Sequence, residues 1–71
     1  MPNIGSKEYL AFLEKLIAAR KSAGLTQVQV AEKLKKPQSF VSKCECGERR
    51  VDIVDLKRFA AIYKRPLSYF Q

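Results

Sequence analysis

The chain has no histidine. Without imidazole there is no histidine general base, no Ser-His-Asp triad and no Cys/His zinc site. Cysteine is almost as scarce. Cys44 and Cys46 are separated by one residue, too close for an unstrained disulfide within a helix. Two thiolates are also too few for a structural zinc site unless a partner chain adds ligands. Small secreted domains carry more cysteines at wider spacing, so these thiols point to a reducing cytoplasm. Three Gly and three Pro in 71 residues are too few for a collagenous or disordered chain. Long apolar runs are missing as well. The longest early one, Tyr9 to Leu13, stops at Glu14 and Lys15, so neither a signal peptide nor a membrane span is expected, and the expected location is cytoplasmic.

Acidic residues are the other shortage: seven Asp and Glu stand against 14 Lys and Arg, a net charge of +7. The imbalance lies mostly beyond residue 32. Residues 1–32 hold four bases and three acids, 33–51 six and two, and 52–71 four and two. Such a surplus suits a polyanion, nucleic acid before an anionic membrane surface. With 46% hydrophobic residues the chain can build a core, but at this length it forms one domain, 1–71, with no room for a large substrate cavity. No catalytic residue, metal site or cofactor is expected.

Tyr9, Phe12, Leu13, Leu16 and Ile17 recur at helical spacing within residues 7–23, with Ser6 placed to cap the helix and Gly24 to stop it. Thr26 opens a second, shorter helix that carries Val30, Ala31 and Leu34 on one face. Pro37 suits the first turn of a third helix that ends at Gly47. Its core face is Phe40, Val41 and Cys44, and its outer face is Gln38, Ser39, Ser42, Lys43 and Cys46. Asp52 caps a fourth helix bearing Leu56, Phe59, Ala60 and Tyr63, with Asp55 placed as the acid of a capping box. A last turn spans Pro66 to Phe70. No alternating strand pattern appears, so the expected fold is all-α, a compact bundle of about five helices.

Two short helices joined by about three residues, the second polar on its outer side and set in a basic stretch, meet the requirements of a helix-turn-helix. The residues Leu25-Thr26-Gln27, Ala31-Glu32-Lys33-Leu34, Pro37-Gln38-Ser39-Phe40-Val41-Ser42-Lys43, Glu45 and Gly47-Glu48-Arg49-Arg50 closely resemble the Cro/phage-repressor-like (XRE-type) helix-turn-helix family. The resemblance covers about residues 10–70. It implies a first motif helix over about 26–35 and a recognition helix over about 37–46.

By that resemblance, Gln38, Ser39, Ser42 and Lys43 occupy the positions that read base edges of double-stranded DNA. Their chemistry agrees, since Gln can pair with adenine and Lys with guanine in the major groove. Gln27 matches a glutamine that contacts phosphate and braces the first recognition-helix side chain. Lys36, Arg49 and Arg50 flank the recognition helix and read as phosphate contacts, with ordinary surface charge as the alternative. Arg20 and Glu45 match an ion pair that ties the first helix to the recognition helix. The family often has glycine where this chain has Lys35, so either Lys35 is left-handed or the turn is built differently. Cys44 reads as a small core residue, and Cys46 is the one handle for redox or metal sensing.

One recognition helix covers too few base pairs to select a site, which implies a homodimer through Leu67, Tyr69 and Phe70 on a palindromic operator. The alternative is that these three only close the monomer core. The function expected is a prokaryotic or phage-type transcriptional regulator, repressor-like and not an enzyme. The alternative is a protein-interaction module such as an antitoxin, with DNA binding secondary.

Overall fold

The computed structural model describes residues 6–71, which form four α-helices and a closing 3-10 turn. Helix α1 runs Lys7–Ser22, α2 Gln27–Leu34, α3 Gln38–Cys46 and α4 Ile53–Tyr63, and the 3-10 turn spans Leu67–Phe70. The capping chemistry explains where three of these helices begin. Ser6 Oγ accepts the Tyr9 N–H at 3.3 Å. Thr26 and Gln29 form a complete capping box: Thr26 Oγ1 accepts the Gln29 N–H at 3.1 Å, and the Thr26 N–H donates to Gln29 Oε1 at 2.9 Å. Asp52 Oδ1 accepts the Asp55 N–H at 2.8 Å. Asp55 does not return the bond as a capping-box acid; its carboxylate turns towards Arg49.

Three helices close through the same backbone device, in which a left-handed residue lets the chain fold back on the last carbonyls. Gly24 (φ 73°) ends α1, with the Leu25 N–H on the Arg20 carbonyl at 3.2 Å. Lys35 (φ 59°) ends α2, with the Lys36 N–H on the Ala31 carbonyl at 3.0 Å. Lys64 (φ 58°) ends α4, with the Arg65 N–H on the Ala60 carbonyl at 3.0 Å. Helix α3 also stops at a left-handed residue, Gly47 (φ 85°). The open question about the turn is thereby answered: Lys35 is left-handed. The α2–α3 turn thus carries a Cβ where glycine would be unstrained.

The core lies where the helices meet: Leu16 and Ala19 of α1, Val30 and Ala31 of α2, Val41 and Cys44 of α3, and Phe59, Ala60 and Tyr63 of α4. Helix α2 packs chiefly on α3, while α1 spans α3, α4 and the 3-10 turn. Small Ala31, 3% exposed, allows the close α2–α3 crossing, and Val41 is fully buried. Phe70 enters this core at 3% exposure, edge-on to Phe12 at 6.3 Å. Its apolar surface is therefore used within the chain, as in the alternative in which the residue closes the monomer core. Leu67 and Tyr69 remain half-buried.

Replacing Lys35 by Gly should raise the unfolding free energy by about 1 kcal/mol, because glycine adopts positive φ without the Cβ clash. Urea titration against Lys35→Ala, which keeps the Cβ, isolates the backbone effect. A Gly variant no more stable than the Ala variant would show that the turn stores no such strain.

Candidate nucleic-acid interface

Helix α3 presents two different sides. Val41, Cys44 and Glu45 face inward and are buried, whereas Gln38, Ser39, Ser42 and Lys43 are all exposed. The spacing i, i+1, i+4, i+5 places those four on one side of the helix. Burial pushes the Cys44 thiol up to about 11, with the charge of nearby Asp55 adding to the effect. Cys44 is thus an inert core residue, while Cys46 is exposed and places its Sγ 3.6 Å from the Lys43 carbonyl.

A buried carboxylate sets the rotation of α3. Glu45 is 7% exposed and takes Arg20 in a two-pronged pair, Nε to Oε2 at 2.7 Å and the second prong to Oε1 at 3.2 Å. The Gln27 carboxamide donates to the same Oε1 at 2.9 Å. Arg20 also donates to the Leu25 carbonyl at 3.0 Å, in the loop between α1 and α2. The bond to Glu45 raises the Arg20 pKa above its ordinary value, so the guanidinium stays charged across the physiological range. One carboxylate therefore joins α1, α2 and α3. Gln27 is directed to the C-terminal end of α3, whereas the bracing role implied for it concerned the first side chain of that helix.

Aromatic rings hold the flanking cations. The half-buried Phe40 ring has Lys36 Nζ 5.5 Å from its centroid and the Arg49 guanidinium at 4.8 Å. Arg49 also lies 3.7 Å from Asp55 Oδ2. Arg50 lies instead over Tyr9, its guanidinium 4.7 Å from the ring centroid. The Tyr9 hydroxyl accepts the Val51 N–H at 3.1 Å, so the N-terminal turn of α1 touches the loop that follows α3.

A helix-turn-helix family profile matches residues 16–70. The chain belongs to the XRE-type helix-turn-helix family. A solved structure described as an XRE-family like protein from Pseudomonas syringae pv. tomato str. DC3000 is 39% identical. Its TM-score is 0.86, and the match covers 94% of this chain and 82% of that one. No curated protein matches the sequence. At family level the protein is a DNA-binding helix-turn-helix regulator. Among the described residues, no helix is long and apolar enough to cross a membrane.

The profile match spans α2 and α3, the two short helices read from the sequence as the helix-turn-helix. The structure brings Arg20, Gln27 and Glu45 together on the inner side of α3 and places Lys36 and Arg49 against Phe40. It leaves Leu67 and Tyr69 in the terminal turn. Tyr9, Phe40 and Asp55 were not singled out as partners of the basic loop. Phe40 and Tyr9 look like ordinary core residues in a periodic pattern, and Asp55 like a helix-capping acid.

Arg20→Met should cost about 3–5 kcal/mol, because it leaves the Glu45 charge buried without its partner. Adding Glu45→Leu should restore much of that loss, since an apolar pair needs no compensating charge. Urea unfolding of both single variants and the double variant gives the coupling; strictly additive losses would mean that the two residues do not act as a pair.

Proposed function

We propose that the protein is a sequence-specific, repressor-like transcriptional regulator that binds double-stranded DNA as a homodimer on a palindromic operator. It has no catalytic role and acts in the cytoplasm of a prokaryotic or phage-infected cell. Recognition helix α3 lies in the major groove, where Gln38, Ser39, Ser42 and Lys43 meet base edges. Lys36, Arg49 and Arg50 contact phosphates and set register, and Gln27 adds a contact at the start of α2. The observation that carries this reading is the two-sidedness of α3, polar and exposed outside, and fixed inside by Val41, Cys44 and the Glu45 ion pair. A helix held so rigidly presents its outer side chains in a reproducible geometry, as base reading requires.

Dimerisation uses the terminal turn through Leu67 and Tyr69, and two-fold pairing places half-sites about 34 Å apart. A second reading, a protein-interaction module such as an antitoxin, draws support from a different feature. Ile53 and Val54 are 57% and 54% exposed at the start of α4, and apolar residues at that exposure suit a protein partner.

Selection of bound duplexes from a randomised pool, followed by affinities across salt, tests the proposal. The expected result is a palindrome bound at least about a thousandfold more tightly than bulk DNA. Gln38→Ala or Lys43→Ala should then lose about 1–3 kcal/mol at the selected site and relax preference at one base position. Affinity driven by salt alone, with no enriched sequence, would favour the interaction module.

A further inference from the structure

Arg49 and Arg50 are neighbours in the chain but are held in different ways. Arg49 lies against Phe40 and within 3.7 Å of the Asp55 carboxylate, so part of its charge is already answered inside the protein. Arg50 has no ion-pair partner among the described residues. Its contact is the Tyr9 ring, 4.7 Å from guanidinium to centroid. That ring is itself fixed, 5.5 Å from Phe12, which in turn meets buried Phe70 edge-on at 6.3 Å. The Tyr9 hydroxyl then accepts the N–H of Val51, the residue after Arg50, at 3.1 Å. One side chain therefore holds both the guanidinium and the backbone beside it.

We propose that Tyr9 is a positioning residue for DNA binding: it presets the basic loop so that Arg50 meets a backbone phosphate with its full charge and little ordering cost. A guanidinium stacked on an aromatic ring uses its flat face, leaving the N–H groups around its edge directed outward for phosphate oxygens. Held in place before DNA arrives, it loses less rotamer freedom on binding than a free arginine would. The carboxylate beside Arg49 offers no such arrangement, since it competes with phosphate for the cation. The inference rests on the reading that the loop after α3 faces DNA. It extends the interface to α1, which lies outside the helix-turn-helix itself.

The experiment measures affinity for a mixed-sequence DNA duplex across salt for wild type, Tyr9→Phe, Tyr9→Leu, Arg50→Ala and the Tyr9→Leu/Arg50→Ala double variant. Arg50→Ala should flatten the dependence of log affinity on log salt by about one unit. Tyr9→Leu, which keeps apolar bulk but removes ring and hydroxyl, should weaken binding about two- to fivefold and flatten the slope in the same direction. Tyr9→Phe keeps the ring but loses the bond from the Val51 N–H, so it should retain the wild-type slope and lie between wild type and Tyr9→Leu in affinity. In the double variant the Tyr9→Leu effect should vanish, because there is no guanidinium left to position. A Tyr9→Leu loss that persists without Arg50, or a Tyr9→Leu slope equal to wild type while Arg50→Ala is altered, overturns the role of Tyr9. An unaltered Arg50→Ala overturns the DNA-facing reading of the loop, and with it this inference. Proton shifts of the Arg50 side chain in the free protein give a check that needs no DNA. They should lie upfield in wild type and Tyr9→Phe and return to ordinary values in Tyr9→Leu; absence of any ring-current shift in wild type also overturns the proposal.

Discussion

The arrangement of the helices depends on one buried carboxylate. Glu45 sits on the inner side of α3, where a charge without partners would cost several kcal/mol, and its oxygens are met by Arg20 from α1 and Gln27 from α2. Hydrophobic contacts are tolerant of rotation, because Val41 and Cys44 would still find apolar neighbours if α3 turned by some degrees. A two-pronged guanidinium-carboxylate pair is not tolerant, since both of its bonds depend on direction. The pair thus selects one rotation of α3 from the several that the core would accept. That rotation puts Gln38, Ser39, Ser42 and Lys43 outward. Arg20 extends the constraint to the Leu25 carbonyl, so the entry to α2 is fixed by the same side chain.

The backbone accepts strain where charge is useful. Lys35 and Lys64 are left-handed at the ends of α2 and α4, positions where glycine would sit without a Cβ penalty. With Lys35 in that place, the end of α2 and the turn after it read Lys33, Leu34, Lys35, Lys36 and carry three cations immediately before α3. Glycine would relax the turn and remove one of them. For a chain that binds a polyanion, about 1 kcal/mol of backbone strain is a modest cost beside an added cation that can meet phosphate.

Much of this was legible in the residues, and the exceptions have physical causes. Ser6, Thr26 and Asp52 marked helix starts because their side chains can accept an N–H that the helix leaves unpaired, and Gly24 and Gly47 marked stops. Lys64 gave no comparable sign, since lysine is neither a breaker nor a turn residue. The Arg20–Glu45 pair spans 25 positions and came only from the family resemblance; no periodicity connects residues so far apart. The Tyr9 contact to Val51 spans 42 positions and is invisible for the same reason. Phe70 was placed at an interface because an apolar residue in a terminal turn reads alike whether it points in or out. Asp55 has the position of a capping acid, and only the nearby Arg49 guanidinium shows that its carboxylate is used elsewhere.

A net charge of +7 draws the protein to any duplex, so charge alone works against discrimination by strengthening every non-specific complex. On the proposed reading, selectivity then depends on how accurately the phosphate contacts place α3 over the base edges, because a bidentate bond from Gln38 or Lys43 is lost with a small displacement. Here the flanking cations are not left to wander. Lys36 and Arg49 lie against Phe40, and Arg50 lies against Tyr9. Both rings are anchored on the same core that Glu45 orients. On that reading, register and base reading are referred to one body, and a phosphate contact made at the edge of the domain would constrain where Gln38 and Lys43 come to rest. Flexible lysines in place of Arg49 and Arg50 would supply equal charge and attract DNA as strongly, but without the rings to hold them they would fix the register of α3 less well.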